Sequence, residues 1–323
     1  MQQYNSLDEL CLPSSCVTIG VFDGLHLGHQ TVIRSTVTMA RSLGLPSVLI
    51  TFHPHPAVAL GKIDRPQTLL ENEEKTCLIQ QMGIDHLVTM KFDQALANTP
   101  AEDFVSYLIK QLHMQHLITG EDFSLGKNRE GNQATLKQLG EQNLFSLTQV
   151  PEVDNQGKRI SSTTIRDMIR KGDIHQANKL LGRAYHFSGS VIDGEHRGRK
   201  IGFPTANLLP HPDRLVPRFG VYATLLSWQG RNYPAITNVG SRPTFNTDLE
   251  NITIETYILD FTDTLYGQPI DLHFFDFIRP EIKFPNPDLL KQQIQTDIQT
   301  AREIVSHAKD KTNLFTGSTD PLP

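Results

Sequence analysis

The sequence predicts two unlike folding units: an α/β half built on a parallel sheet, then an antiparallel β-barrel with a terminal helix. Three observations carry this prediction. Short apolar runs alternate with helix-period segments from Val17 to about residue 184. From Tyr185 onward, strand-like runs follow one another directly, broken by Gly, Pro and Asn turns. One long amphipathic pattern then closes the chain. The length, 323 residues, fits two domains at about 100–200 residues each.

In the first half, Val17–Phe22 reads as a buried parallel strand. Ile33, Val37 and Ala40 recur at helical spacing, Gly44 caps that helix, and Pro46 bars its continuation. Ser47–Phe52 completes a βαβ unit. The alternation repeats as helix 73–82, strand 86–90, helix 101–112 and strand 116–119, which implies an open sheet whose ligands sit beyond the strand C-termini. In the second half, 221–226, 235–239, 252–259 and 270–275 read as strands, with Trp228-Gln229-Gly230-Arg231 as a hairpin connection. Asn286 and Pro287 open the last helix as N-cap and first residue. Its apolar stripe of Leu290, Ile294, Ile298, Ala301 and Val305 is expected to pack on the barrel. The expected domains are 1–184 and 185–311, with 312–323 a loose tail.

Composition excludes several classes. Thirty Lys+Arg against 35 Asp+Glu leave a net charge of −5, which argues against a protein that coats nucleic acid. No apolar run approaches the roughly 18–20 residues that span a bilayer, and the N-terminal segment lacks the features of a signal peptide. Cys11, Cys16 and Cys77 form neither a disulfide framework nor a zinc-type spacing. The expectation is a soluble cytoplasmic protein without nucleic-acid or membrane partners, its oligomeric state open.

Gly20-Val21-Phe22-Asp23-Gly24-Leu25-His26-Leu27-Gly28-His29 stands at the first strand-to-helix junction. Two imidazoles bracketing a glycine at a helix N-terminus can hold one anion, with Gly28 letting a phosphate approach the backbone. Alone, the histidines read more readily as exposed turn residues, and a metal site lacks a local third ligand. Later in the same half, Ile160-Ser161-Ser162-Thr163-Thr164-Ile165-Arg166 places hydroxyls and an arginine at a helix start, groups suited to a triphosphate or, on their own, to capping.

Together these segments resemble the HxGH and SSTxxR signatures of the nucleotidyltransferase superfamily, whose fold is Rossmann-like. Thr51-Phe52-His53-Pro54-His55-Pro56, Gly120 to Gly126 and Leu181-Gly182-Arg183 narrow the resemblance to the prokaryotic bifunctional riboflavin kinase/FAD synthetase family. The resemblance implies that this half transfers AMP from ATP to FMN. His26 and His29 would stabilise the α-phosphoryl transition state, with ATP held by Gly20, Phe22, Asp23, Gly24, Gly28, Asp122, Ser161, Ser162, Thr163 and Arg166. His55, Pro56 and Phe123 would face the flavin. The chain departs from the family pattern at Ser124-Leu125, where Arg-Phe is usual, and at Ala57-Val58, where Arg-Glu is common.

The barrel half opens with a basic, glycine-rich run from Gly189 through Glu195, His196, Arg197 and Lys200 to Gly202-Phe203-Pro204-Thr205-Ala206-Asn207. It is neither a Walker loop nor a dinucleotide fingerprint, and by composition alone it is a solvated loop. Its ending resembles the flavokinase signature, which implies Mg²⁺ with ATP as co-substrate, Thr205 and Asn207 as metal ligands, and Gly194, Arg199, Gly202 and Pro204 around the nucleotide. Glu255 matches that family's catalytic glutamate. Strand alternation sets it on the face of Thr253 and Tyr257. Asn238 to Phe245 and Ile278-Arg279-Pro280-Glu281 also match, with Arg279 a flavin or nucleotide contact or a surface ion pair. The implied function is riboflavin phosphorylation to FMN, then FMN adenylylation to FAD with release of pyrophosphate. The rivals are a kinase with altered nucleotidyl transfer and a flavin-binding regulator without turnover. Intact His26, His29, Thr205, Asn207 and Glu255 weigh against the latter, because binding alone needs no general base.

Overall fold

The computed structural model describes residues 1–155, 158–194, 197–241 and 252–309. Glu195 and His196 of the basic loop, Arg242 to Phe245, and the expected tail lie outside the described residues. By packing, the chain divides after Ser162 into two compact units.

The first unit begins with β1 (Gln2–Tyr4), β2 (Ser15–Ile19), α1 (Leu27–Leu43), β3 (Ser47–His53), α2 (Pro56–Ala59) and α3 (Asn72–Gln81). It continues through β4 (His86–Lys91), α4 (Gln94–Ala97), α5 (Ala101–Leu112), β5 (Met114–Gly120), α6 (Gln133–Asn143) and β6 (Ser146–Val150). A small antiparallel pair, β7 (Asp154–Asn155) and β8 (Lys158–Arg159), follows. The six main strands form one parallel sheet in the order β1-β4-β3-β2-β5-β6. All five residues of β2 are buried, which is why this strand reads as continuous rather than alternating.

Helix α5 shows how the sheet is covered. Ala101, Phe104, Val105, Leu108 and Leu112 recur at helical spacing and are all buried against Val17, Val48 and Leu117. Full burial of each large side chain contributes about 1.5–3 kcal/mol. Helix α1 ends where Gly44 turns left-handed at φ 67° and donates its N–H to the Ala40 and Arg41 carbonyls. The chain winds from β2 outward to β3 and β4, then crosses to β5 and β6 on the other side. The ends of β2 and β5 therefore flank the point where the winding reverses, the usual ligand crevice of such sheets.

The observed elements differ from the sequence reading in places. Strand β2 stops at Ile19, because Phe22 is already left-handed at φ 51° and the chain has left the sheet. Strand β1 is an added edge of three residues, too short to show a period.

The second unit takes α7 (Ser162–Lys171) beyond its first residue, and then α8 (Ile174–Leu181). Next come β9 (Tyr185–Ser190), α9 (Arg197–Lys200), β10 (Thr205–Leu208), β11 (Gly220–Trp228) and β12 (Arg231–Ser241). Strands β13 (Ile252–Ile258) and β14 (Pro269–Arg279) and helix α10 (Pro287–Lys309) complete it. Its six strands are antiparallel in the order β10-β13-β12-β11-β14-β9. Among the described residues a single bridge, Ile192 to Asn207, links the two edges, so the sheet is a half-barrel rather than a fully laddered one.

The hairpin between β11 and β12 turns on Gln229 and Gly230, at φ 47° and 72°, the positive pair that a two-residue turn requires. Asn178 ties α8 to the sheet: its amide donates to the Phe274 carbonyl at 2.8 Å and accepts from the Tyr185 N–H at 2.7 Å. Helix α10 starts as read, with the Asn286 side chain accepting from the Leu289 N–H at 2.9 Å. Ala301 and Val305 are fully buried on the sheet, while Ile294 and Ile298 pack beside them.

Two candidate active sites

The first site is the turn between β2 and α1. Gly20 extends the ladder by donating to the Ile50 carbonyl at 3.0 Å. The backbone then bends through left-handed Phe22, Gly24 and Leu25. Gly24, at φ +81°, could carry no side chain, because a Cβ would lie 2.7 Å from Leu69. His26 is the N-cap of α1, its Nδ1 accepting from the His29 N–H at 3.3 Å. That bond leaves the proton of the neutral ring on Nε2, a donor for an anion. The two imidazoles stack with centroids 3.6 Å apart, and the Phe22 ring meets His29 edge-on. A Cβ on Gly28 would press on the His26 ring at 3.3 Å, so glycine admits the stacking.

Asp23 lies beneath the turn, 7% exposed, its Oδ1 accepting from the Leu69 N–H at 2.9 Å. The Ser162 hydroxyl donates to the Asp23 carbonyl at 2.8 Å, which joins the hydroxyl-rich segment to the histidine turn. Thr163 and Arg166 stand one helical turn apart on α7, Thr163 exposed and Arg166 half-buried. Asp122 follows the end of β5, the strand across the crevice. Its carboxylate is paired with the Arg159 guanidinium, which also reaches Glu152 at 3.0 Å. Arg159 escaped the sequence reading, since a lone arginine on a short hairpin carries no periodic or motif signal. His55 caps α2, accepting from the Ala57 N–H at 3.1 Å, with Pro56 as that helix's first residue. Phe123 is partly buried against the sheet's core, and the Ser124 hydroxyl accepts from Arg129 Nε at 2.7 Å.

The second site is a cavity of about 400 Å³ in the half-barrel. Thr205, Asn238, Glu255, Arg279, Glu281 and Asp297 are among its polar groups, and Phe203, Tyr257 and Leu290 are among its apolar walls. Register creates the polar edge. Asn207 pairs with Glu255 across β10 and β13, and Glu255 pairs with Asn238 across β13 and β12. Register partners share a face about 4.5–5.5 Å apart. The other face, with Ile254, Thr256 and Ile258, is buried, so Glu255 is half-buried at the cavity rather than simply exposed.

Arg279 does not act as a surface ion pair. Its guanidinium grips Asp297 at 2.8–3.0 Å, and Asp297 is 2% exposed. Gln293 adds a donor to the same carboxylate at 3.0 Å. Asp297 was missed because it reads as a polar helix residue beside the apolar stripe. Arg199, Gly202 and Pro204 lie exposed in the segment leading to β10 and do not line the cavity. Gly194 contacts Asn207 so closely that a Cβ would lie 2.2 Å from the amide nitrogen.

Among the described residues, no group of three His, Cys, Asp or Glu could hold a metal ion. The donor set still fits Mg²⁺, which takes one or two protein oxygens and completes its shell with water and substrate phosphates. Hydroxyl and amide oxygens at Thr205 and Asn207, on one strand face beside Glu255, are of that kind.

The imidazole-bearing turn at the reversal point of the parallel sheet and the carboxylate-edged cavity in the antiparallel one are two candidate centres, one in each unit. Residues 9–164 match the sequence model of the FAD synthetase family, and residues 181–305 that of riboflavin kinase. The chain is 35% identical to the bifunctional riboflavin kinase/FMN adenylyltransferase of Listeria monocytogenes, over 94% of this chain and 96% of that one. The Bacillus subtilis and Escherichia coli K12 enzymes of the same name are 37% and 35% identical, each over 91% of this chain and 94% of the relative. The chain belongs to the bifunctional riboflavin kinase/FMN adenylyltransferase family. A crystal structure titled as a macrolide-efflux protein, from Streptococcus pneumoniae, superposes with a TM-score of 0.85 at 31% identity, covering 93% of this chain and 98% of that one. Among the described residues of the present chain, no helix is long and apolar enough to cross a membrane.

Proposed function

We propose that the half-barrel cavity phosphorylates riboflavin with ATP and that the histidine turn adenylylates the resulting FMN with a second ATP. The family's activity is both reactions on one chain, and what is proposed is where each takes place and which residues perform it. The register row Asn207–Glu255–Asn238, in which Glu255 and Asn238 line the cavity and Asn207 lies buried beside them, carries the kinase assignment. Glu255 takes the proton of the ribityl 5′-hydroxyl as that oxygen attacks the γ-phosphoryl group. Thr205 and Asn207 hold Mg²⁺, which when bound neutralises charge on the ATP phosphates. Arg279, fixed by Asp297, faces the flavin, and Gly194, Arg199, Gly202 and Pro204 shape the nucleotide's entry.

At the first site, His26 and His29 donate to the α-phosphoryl oxygens as the FMN phosphate attacks, and the start of α1 adds its positive end. Gly20 to Gly28 approach the nucleotide. Ser161, Ser162, Thr163 and Arg166 take the departing pyrophosphate, with Asp122 beside it. His55, Pro56 and Phe123 face the flavin of FMN. The adenylyltransferase module extends in sequence to about Ala184 and the kinase module from Tyr185 to residue 311. The same reading sets the enzyme in the cytoplasm, where ATP serves both reactions.

The test is to incubate purified chain with riboflavin and MgATP and to resolve riboflavin, FMN and FAD by chromatography over time. FMN should rise first and FAD after it. His29→Ala should let FMN accumulate without FAD, and equal loss of both products would contradict separate centres.

A further inference from the structure

A buried cation lies under the histidine turn that none of the assigned roles uses. Lys75, on α3, is 8% exposed. Its ammonium donates to the Thr51 hydroxyl at 3.3 Å, and that hydroxyl donates to the Val21 carbonyl at 3.1 Å. Thr51 is fully buried near the C-terminal end of β3, on the ligand side of the sheet. The relay therefore runs from α3 through β3 into the turn between β2 and α1.

A second link runs through charge. Asp23 is as deeply buried as Lys75, and its negative charge acts on the ammonium, opposing the fall in lysine pKa that burial causes. Asp23 also receives the Leu69 N–H on its carboxylate and the Ser162 hydroxyl on its carbonyl. The start of α3 is itself fixed, because the Glu74 carboxylate accepts from the Glu71 N–H at 3.1 Å. Desolvating an ammonium is costly, and a methionine or leucine would fill the same space more cheaply. Here the ammonium stands beneath the segment that must place two imidazoles to within a fraction of an ångström.

We propose that Lys75 is a positioning residue for adenylyl transfer, bracing the Gly20–His29 turn through Thr51 and Asp23 so that His26 and His29 meet the reacting phosphate. This inference rests on the assignment of the histidine turn to that reaction. Displacement of a catalytic group by about 1 Å costs on the order of 10²-fold in rate. Loss of the brace therefore acts on kcat rather than on ground-state binding.

The test uses the full chain with Lys75→Met, assayed below its melting transition beside His29→Ala. The expected result is a fall of about tenfold or more in the kcat of FMN adenylylation. The KM values for ATP and FMN should stay within about threefold, with riboflavin phosphorylation by the same preparation unchanged. Unchanged kcat would overturn the proposal. So would a raised KM with kcat kept, which would make Lys75 a ligand contact. A deficit that vanishes on cooling would leave Lys75 a merely structural residue and overturn it too. Thr51→Val, which cuts the relay while keeping the side-chain shape, should lower kcat in the same way, and it decides the matter if Lys75→Met does not fold. If His29→Ala leaves FAD synthesis intact, the site assignment itself fails, whatever Lys75→Met does.

Discussion

Asn207 and Glu255 are direct register partners across β10 and β13, so the proposed metal ligand and the proposed general base rise from one spot on one sheet face. That arrangement assigns them different work. The amide can hold an ion but cannot take a proton, whereas the carboxylate can do so.

Glu255→Gln keeps the size and the hydrogen-bonding reach of the side chain but removes its basicity. Riboflavin phosphorylation should fall by about 10²–10⁴-fold, the usual contribution of a positioned base. FAD synthesis from supplied FMN should be unaffected. Parallel assays of the two reactions on one preparation check this, and a kinase rate within a few-fold of the parent would remove Glu255 from its role.

Gly194→Ala tests the other partner. The added Cβ would lie 2.2 Å from the Asn207 amide nitrogen and 2.7 Å from its Cγ, well inside contact distance, so the amide must shift. The expected outcome is a raised requirement for MgATP in riboflavin phosphorylation, with adenylylation unaltered. Titration of the kinase rate against MgATP at saturating riboflavin reads it directly.

How far the sequence revealed these sites depended on what kind of contact builds them. The turn from Gly20 to His29 and the Thr205–Asn207 ending were legible because each is a contiguous segment whose residue types state their chemistry. The α/β half and the antiparallel half were legible from their periods. Asp297, Arg159 and Lys75 were not. Each depends on a partner far away in the chain: Arg279, Asp122 and Thr51 respectively. Such a residue looks like any charged helix or hairpin position until the fold brings its partner near. The Arg279 pair is likewise not legible as buried, since the burial of Asp297 on α10 is a tertiary property.

Asp297→Ala should therefore cost stability as well as binding. It leaves the Arg279 guanidinium, only 14% exposed, without its buried counter-charge. Breaking such a pair from one side costs about 3–5 kcal/mol, and partial solvent access brings the expected loss to the lower end. The single tryptophan, Trp228, belongs to β11 of the second unit, so its fluorescence in a urea series follows that unit's unfolding. An accompanying rise in the KM for riboflavin would show that Arg279 must be held in place to face the flavin. An unchanged urea midpoint would mean the pair contributes nothing net.

Metal removal closes the set. On the proposed assignment, an ion at the second site is held jointly by Thr205, Asn207 and the ATP phosphates, as hard divalent cations commonly are. Such an ion should be bound loosely without nucleotide and should enter with it. Chelation by EDTA should stop riboflavin phosphorylation and FMN adenylylation, and excess Mg²⁺ should restore both at once, with no refolding lag and no change in melting temperature of the nucleotide-free protein. Asn207→Ala should raise the Mg²⁺ concentration needed for half-maximal kinase activity while leaving that for adenylylation alone. If both reactions ran on in chelated buffer, or if the two requirements moved together, the assignment of the ion to Thr205 and Asn207 would be wrong.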